Sequence, residues 1–138
     1  MFVDASAIVA ILTREPEADE FLNLVETAPA PFTSPIAMFE TAAGICRKRQ
    51  SIVEEAYDDV QQFLAAANIR IAPISGAEAA EAITAFARYG KGRGHAAQLN
   101  LGDCFAYAAA KLNGASILFK GNDFTETDIR SARKRERR

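Results

Sequence analysis

The sequence contains no tryptophan, one histidine and only two cysteines among its 138 residues. Cys46 and Cys104 lie far apart and form no CxxC pair, so the chain lacks the Cys/His clusters of zinc sites. We expect two free thiols in a reducing cytosol. No apolar run approaches the roughly 18 residues that cross a bilayer. The first residues also lack the basic segment of a secretory signal. The sequence therefore predicts a cytoplasmic protein that makes no use of a membrane.

The charged residues are unevenly distributed along the chain. Hydrophobic residues make up 49% and charged residues 25% of the sequence, an ordinary globular composition that excludes intrinsic disorder. Residues 1–128 contain 10 Lys/Arg and 17 Asp/Glu, whereas the last ten residues contain six basic residues and one acid. An acidic body with a basic end is not typical of DNA-binding domains, which carry a basic face. We predict one domain, residues 1–138, with a basic C-terminal tail over residues 129–138.

Short apolar segments alternate with longer amphipathic ones. The short segments predict strands at residues 2–3, 32–33, 69–72 and 117–119. The longer ones predict helices at residues 5–13, from Pro16 onward, and at 35–49, 53–67, 77–89 and 100–113. This alternation predicts an α/β fold with a mostly parallel sheet of four or five strands, covered by helices on both faces. Ligands bind such sheets beyond the carboxyl ends of the strands.

Four acidic residues occupy strand ends or helix positions that face this edge. Asp4 follows the first strand, Asp123 follows the last, Asp103 lies in the first turn of the sixth helix, and Glu40 lies among apolar residues in the third. A helix cap, a turn or simple exposure would explain each acid alone. Together, converging carboxylates repel one another unless a cation neutralises them. Oxygen ligands without His or Cys favour Mg²⁺ or Mn²⁺.

Several segments of the sequence together resemble a PIN domain, most closely the VapC-type toxin ribonucleases of bacterial toxin–antitoxin pairs. The resemblance lies in MFVDASA at residues 1–7, the helical Glu40, LNLGDCFAYA at 99–108, LFKGNDF at 118–124 and TDI at 127–129. It covers nearly the whole chain in order and spacing. It implies a PIN-like, Rossmann-like sandwich of three layers.

The resemblance also implies an activity and a set of site residues. The family's metal-site acids match Asp4, Glu40, Asp103 and Asp123, which are then the metal ligands and catalytic residues, and Ser6 matches the hydroxyl residue that helps to order the site. Many relatives are more acidic around the fourth of these acids. The implied protein is an endoribonuclease that depends on Mg²⁺ or Mn²⁺ and hydrolyses RNA phosphodiester bonds. It is usually a homodimer inhibited by a cognate VapB-like antitoxin, and it reaches DNA only through that antitoxin.

Cations must surround an acidic pocket that binds RNA, because the acids repel phosphate groups. The candidates for phosphate contacts are Lys91, Arg93, Lys120 and Arg130, together with the rest of the basic tail. The single histidine, His95, lies in a glycine-rich loop without a nucleophilic partner in any motif, so we interpret it as non-catalytic.

Other functions remain open at this point. A haloacid-dehalogenase-like phosphatase also places an Asp after its first strand, but it needs a second Asp where this chain has Ser6. A receiver domain needs an acidic pair at the same strand end. A third alternative keeps the fold and makes the acids structural, leaving a non-catalytic RNA- or protein-binding module. An apparent excess of apolar residues, including Phe21, Phe39, Phe63 and Leu64, adds to the expectation of a homodimer.

Overall fold

The sheet consists of four short parallel strands in the computed structural model, which describes residues 1–133. The strands are β1 (Phe2–Val3), β2 (Phe32–Thr33), β3 (Arg70–Ile71) and β4 (Ile117–Leu118), and they lie in the order β3-β2-β1-β4. Phe2 of β1 is in register with Phe32 on one side and Ile117 on the other. The predicted parallel sheet is confirmed.

Six helices connect and cover these strands. They are α1 (Ala5–Leu12), α2 (Ala18–Thr27), α3 (Pro35–Arg49), α4 (Val53–Ala66), α5 (Gly76–Tyr89) and α6 (Leu101–Leu112). Ser34 caps α3 by accepting the N–H of Ala37 at 3.1 Å, with Pro35 at the first helical position. None of the helices in the described part of the chain has the length and apolar composition needed to cross a membrane.

One predicted helix start was wrong. The second helix begins at Ala18 rather than near Pro16, because residues 13–17 form turns after α1. The N–H of Ala18 donates to the carbonyl of Glu15 at 2.9 Å, a bond to the third residue back that is typical of a turn rather than of an α-helix.

Two apolar cores lie on opposite faces of the sheet. Phe2 and Ile117 belong to the core shared with α5 and α6, whereas Val3 and Leu118 belong to the core shared with α1 to α4. Successive strand residues point to opposite faces, so β1 and β4 each supply one residue to each core. The result is the three-layer α/β sandwich that the sequence predicts.

The apolar residues predicted to be in excess divide between core and surface. Phe21 and Leu64 are buried in the core beneath α1 to α4, so they provide no surface for a second copy of the chain. Phe63 is partly buried against the same core. Phe39 alone of the four is largely exposed, at 75%. That part of the argument for a homodimer was therefore wrong for Phe21 and Leu64, because the core needs them.

The strand order reverses beside β1. The chain passes from β1 to β2 and β3 on one side, then returns to place β4 on the other. A crevice forms at such a reversal, beyond the carboxyl ends of the strands. Asp4 follows β1 directly, and Asp123 follows β4 after a short turn. The fold thus brings the first and last predicted acids to one edge.

The first residues of the predicted basic tail pair with β4, on the side of the strand away from β1. Ser131 forms an isolated parallel bridge with Ile117, whose N–H donates to the carbonyl of Arg130 at 2.9 Å. Arg133 forms an ion pair with Glu20 at 2.7 Å. The rest of the tail, residues 134–138, lies outside the described residues.

Candidate active site

All four predicted acids line one cavity at the carboxyl edge of the sheet. The cavity has a volume of about 540 Å³ and is open to solvent. Its walls include Asp4, Glu40, Asp103 and Asp123, and also Ser6 and Asn100. Residues from three helices and two strand ends therefore meet at one place, as the parallel topology requires.

Asp4 is held at the end of β1 by Ser6. One carboxylate oxygen, Oδ2, accepts the backbone N–H of Ser6 at 3.1 Å and its hydroxyl at 2.6 Å. The same hydroxyl oxygen accepts the N–H of Lys120 at 3.0 Å, which ties Asp4 to the end of β4. Burial raises the pKa of Asp4 and the charge of Asp123 adds to it, whereas the bonds from Ser6 oppose the rise. Asp4 is also the N-cap of α1, so the same side chain caps a helix and lines the cavity.

Glu40 reaches the cavity from α3 and lies against a glycine of α6. A Cβ atom added to Gly102 would lie 2.1 Å from Oε2 of Glu40, so only glycine leaves room for the carboxylate there. Burial raises the pKa of Glu40 to about 7, and the charges of Asp4 and Asp103 contribute to the rise. Within residues 1–133, no hydrogen bond restrains this carboxylate.

Asp103 lies in the first turn of α6 and takes part in its capping box. Its Oδ2 accepts the N–H of Asn100 at 3.1 Å, and its own N–H donates to the side-chain oxygen of Asn100 at 2.8 Å. Burial raises the pKa of Asp103 to about 6, against the bond from Asn100 and with help from the charges of Asp123 and Asp4. Asp103 is thus both a helix cap and a wall of the cavity.

The donor chemistry of the cavity fits a hard divalent cation. It presents carboxylate oxygens and one hydroxyl without a Cys or His side chain, and these are the ligands that Mg²⁺ and Mn²⁺ prefer. Burial raises the pKa of Asp4, Glu40 and Asp103, and neighbouring carboxylates add to the rise, so a cation in the cavity would favour their charged forms. In residues 1–133, no group of three or more His, Cys, Asp or Glu side chains has the arrangement that would hold an ion.

One wall of the cavity is cationic, and sequence reasoning missed most of it. Arg47, Lys48 and Lys120 line the cavity together with Glu15. The phosphate contacts predicted from the sequence do not include Arg47 or Lys48 of α3. Glu40, Gly44 and Lys48 all line the cavity and are spaced four residues apart, which places them on one face of α3. That spacing is the signal that could have placed Lys48 in the site.

Of the four predicted RNA-contacting cations, only Lys120 lines the cavity. Lys91 and Arg93 lie in the loop that follows α5, and the guanidinium of Arg93 stacks over Phe86 at 5.8 Å. Arg130 donates to the carbonyl of Gly114, just before β4, and so lies at the opposite edge of the sheet. A role in RNA binding stays a prediction for these three residues.

His95 also lies apart from the acids. Its Nδ1 accepts the N–H of Ala97 at 3.0 Å, and its ring packs edge-on against Tyr89. It is absent from the walls of the acidic cavity. These contacts give the histidine a role in ordering the loop.

The structure is an α/β domain with an acidic cavity where the strand order of a parallel sheet reverses. The sequence model of the PIN domain matches residues 1–130. The chain is 41% identical to a VapC ribonuclease of Rhizobium meliloti, with 93% of this chain and 98% of the relative covered. It is 40% identical to a VapC ribonuclease of Mycolicibacterium smegmatis, with 94% and 97% covered. The chain belongs to the PIN domain family, and within it to the VapC ribonucleases.

Solved structures show the same fold at low sequence identity. The VapC20 toxin of Mycobacterium tuberculosis, described as cleaving the sarcin-ricin loop, superposes with a TM-score of 0.73 at 15% identity, over 93% of this chain and 95% of that one. A chain of a toxin–antitoxin complex from Klebsiella pneumoniae superposes with a TM-score of 0.66 at 20% identity, over 92% of each. The family match rules out the haloacid-dehalogenase-like and receiver alternatives.

Proposed function

We propose that this chain is the toxin of a VapBC-like toxin–antitoxin pair, an endoribonuclease that hydrolyses RNA phosphodiester bonds with Mg²⁺ or Mn²⁺. The observation that carries the proposal is the convergence of Asp4, Glu40, Asp103 and Asp123 on one solvent-open cavity. Burial and neighbouring charges raise the pKa of three of these carboxyl groups, and a bound cation would oppose that rise. VapC ribonuclease relatives at about 40% identity over nearly the whole chain support the same activity.

The four acids would have different roles in the reaction. Asp4 and Asp103 are fixed by hydrogen bonds through Oδ2, so the other oxygen of each carboxylate can face an ion. Glu40 and Asp123 complete the set. A bound divalent cation would supply Lewis acidity, lowering the pKa of a water molecule and neutralising charge on the phosphoryl oxygens. Glu40 has a raised pKa of about 7 and no hydrogen bond within residues 1–133, so it is our candidate for the group that orients the attacking water and accepts its proton.

Partners follow from the family and from the exposed apolar surface. A groove of about 600 Å³ between α3 and α4 shares Arg47 with the wall of the acidic cavity, and its lining includes Phe39, Val53 and Tyr57, all of which are substantially exposed. An apolar segment of a VapB-like antitoxin in this groove would lie next to the acidic cavity. We further propose a homodimer in the cytoplasm, which contacts DNA only through its antitoxin.

The decisive experiment replaces the acids without changing their shape. Asp4→Asn and Asp103→Asn should each lower the rate of RNA cleavage by more than about a hundredfold in Mg²⁺ or Mn²⁺, because asparagine lacks the charge that holds the cation. Asparagine still caps a helix, so both variants should remain folded by circular dichroism. Cleavage of total bacterial RNA, read at nucleotide resolution, measures the effect and locates the cut sites.

Asp19→Asn is the matched control, because Asp19 also lies in the first turn of a helix and is exposed away from the cavity. It should cleave at the parental rate. An Asp103→Asn protein that cleaves as fast as the parent would refute the metal assignment. Full activity in excess chelator would refute the metal-dependent mechanism.

A further inference from the structure

A pair of lysines joined by one carboxylate stands on the wall of the cavity beside the four acids. Lys48 lies in the last turn of α3, and Lys120 follows β4. Glu15 binds both, because its Oε1 accepts from Nζ of Lys48 and its Oε2 accepts from Nζ of Lys120 at 2.8 Å. We refer to Lys48, Lys120 and Glu15 as the lysine bridge. It connects three segments that are distant in the sequence.

The backbone fixes the position of Glu15. The turn that contains Arg14, with its left-handed φ of 57°, brings the chain back so that the N–H of Glu15 donates to the carbonyl of Ala10 at 2.9 Å. The Glu15 side chain is only 17% exposed. The N–H of Arg14 donates to the carbonyl of Ile11 at 3.3 Å, and the two backbone bonds together form the Schellman motif that ends α1.

The lysine bridge is also linked to the acidic side of the cavity. The backbone N–H of Lys120 donates to Oγ of Ser6, and that hydroxyl donates to Asp4 at 2.6 Å. The side chain of Lys120 receives additional support from Oε2 of Glu17 at 3.1 Å. Hydrogen bonds through Ser6 therefore connect the Asp4 carboxylate to the backbone of Lys120, whose ammonium group stands on the cationic wall.

Lys48 and Lys120 retain N–H donors that can bind a further anion. An ammonium group has three N–H donors, and the ion pairs of residues 1–133 use one on Lys48 and two on Lys120. The two side chains remain 49% and 40% exposed. Arg47 lines the same wall and joins none of those ion pairs. With Glu15 and Glu17 included, this wall carries a net positive charge of one.

We propose that the lysine bridge is a phosphate-binding subsite, which holds a backbone phosphate of the substrate next to the phosphate that is cut. The identification of the substrate as RNA rests on the proposed function. Phosphates repeat along an RNA strand, so a strand that places one phosphate at the acids must place its neighbours near the rim. The volume of about 540 Å³ is in the range of pockets that hold small molecules. Arg47 strengthens the positive field at the same wall.

The subsite can be tested by binding, independently of cleavage. The probe is a fluorescein-labelled oligoribonucleotide in EDTA, and its dissociation constant is measured by fluorescence anisotropy over a range of salt concentrations. Lys48→Gln and Lys120→Gln should each weaken binding by about threefold to tenfold and reduce the salt dependence by about one phosphate contact. Lys48→Arg and Lys120→Arg keep the charge and should restore most of the affinity. In Mn²⁺, the glutamine variants should raise KM while kcat changes by less than about twofold.

Lys111→Gln is the matched control. Lys111 is a lysine of similar exposure, 46%, in an ion pair with Asp128 at 2.9 Å, and it does not line the cavity. It removes the same charge and should leave RNA affinity unchanged. Equal losses in the Lys111, Lys48 and Lys120 variants would overturn the proposal, because only net charge would then matter. Parental affinity in both bridge variants, or no RNA binding by the parent in EDTA, would also overturn it.

The test separates this proposal from the nuclease assignment. A chain that binds RNA through the lysine bridge but never cleaves it supports the subsite and refutes the nuclease. A chain that cleaves RNA with unaltered KM in both glutamine variants supports the nuclease and refutes the subsite. Inorganic phosphate as competitor shows whether the site recognises the phosphate group alone, since it should then displace the labelled RNA at high concentration.

Discussion

Two carboxyl groups of the cavity keep their protons at pH values where most carboxyl groups are ionised. The pKa of Glu40 is raised to about 7 and that of Asp103 to about 6, in both cases first by burial and then by neighbouring charges. Both groups therefore favour the neutral form in the folded chain. The charged forms of these carboxyl groups lower the stability of the folded chain, and a bound cation would offset that loss.

The metal-free chain should lose stability as the pH rises. Because the folded-state pKa values are raised, the stabilising effect is complete below about pH 4 and is lost as the pH passes about 6 to 7. For Glu40 we expect a loss of about 1–2 kcal/mol after allowing for solvent screening. Urea denaturation in EDTA at several pH values measures it. Glu40→Gln should show a flatter profile, and a parent whose stability increases from pH 5 to 8 would contradict the prediction.

Divalent cations should reverse this loss. At about 100 times its dissociation constant, a ligand that binds only the native state stabilises it by about 2.7 kcal/mol. The melting temperature of the parent at pH 7.5 should therefore increase by several degrees in Mn²⁺ or Mg²⁺. In EDTA, Asp103→Asn should melt above the parent, because one repelling charge is gone, and it should lose most of the cation-dependent increase. An inert binding module would show no cation-dependent change.

At the scale of helices, the contact between α3 and α6 sets the position of Glu40. The glycine at position 102 is the reason that the Glu40 carboxylate can lie against α6. Gly102→Ala should keep or slightly raise stability, by up to about 1 kcal/mol from helix propensity, because the obstructed atoms end a flexible side chain. It should nevertheless reduce RNA cleavage by displacing that carboxylate.

Gly76→Ala is the control for that substitution. Gly76 also begins a helix, and an added Cβ there meets no atom within 4 Å. It should leave cleavage unchanged, with both properties measured by thermal melting and by the RNA assay. A Gly102→Ala protein with parental cleavage would show that the exact position of Glu40 is unimportant.

Element boundaries were predictable where both ends carried local signals. The third helix was predicted as residues 35–49 and is Pro35–Arg49, because Ser34 and Pro35 mark its start and a basic run marks its end. The second helix start was missed because proline suits the early position of a turn as well as that of a helix, and Pro16 lies in a turn before Ala18. The strand order β3-β2-β1-β4 depends on tertiary packing, which local patterns do not record.

The candidate site was also predictable only in part, where the position of a residue in the chain determined its place in the fold. Strand ends in a parallel sheet share one edge, so the convergence of Asp4 and Asp123 followed from position alone. The lysine bridge did not, because Lys48 and Glu15 are 33 positions apart and meet only in the folded chain. The approach of Gly102 to Glu40 is likewise a tertiary contact, with no counterpart in the spacing of residues.

At the scale of the whole molecule, exposed apolar side chains occupy two separate faces. One is the groove with Phe39 between α3 and α4, and the other includes Ile83, Phe86 and Leu101 on α5 and α6. Two such faces match the two proposed associations, with a second copy of the chain and with an antitoxin. Isolated exposed apolar residues would need no explanation, but grouped ones indicate interfaces.

Light scattering at tens of micromolar should give twice the 14.9 kDa mass of one chain. Phe39→Ser and Ile83→Ser each disrupt one face. Because the groove with Phe39 is the proposed antitoxin site, Phe39→Ser should remain dimeric and weaken antitoxin binding, whereas Ile83→Ser should return the single-chain mass. A strict monomer for the parent would contradict the homodimer.

Asp103 belongs to the capping box of α6 and also lines the cavity. The first turn of α6 therefore depends on what occupies the cavity. The carboxylate oxygen that accepts the N–H of Asn100 belongs to the same group that faces the other acids. A cation held by the other oxygen of this carboxylate would leave Oδ2 on the Asn100 amide and restrain the whole group. The rate of deuterium uptake at that one amide should therefore fall when the cavity is filled, which makes hydrogen exchange at the start of α6 a measure of occupancy.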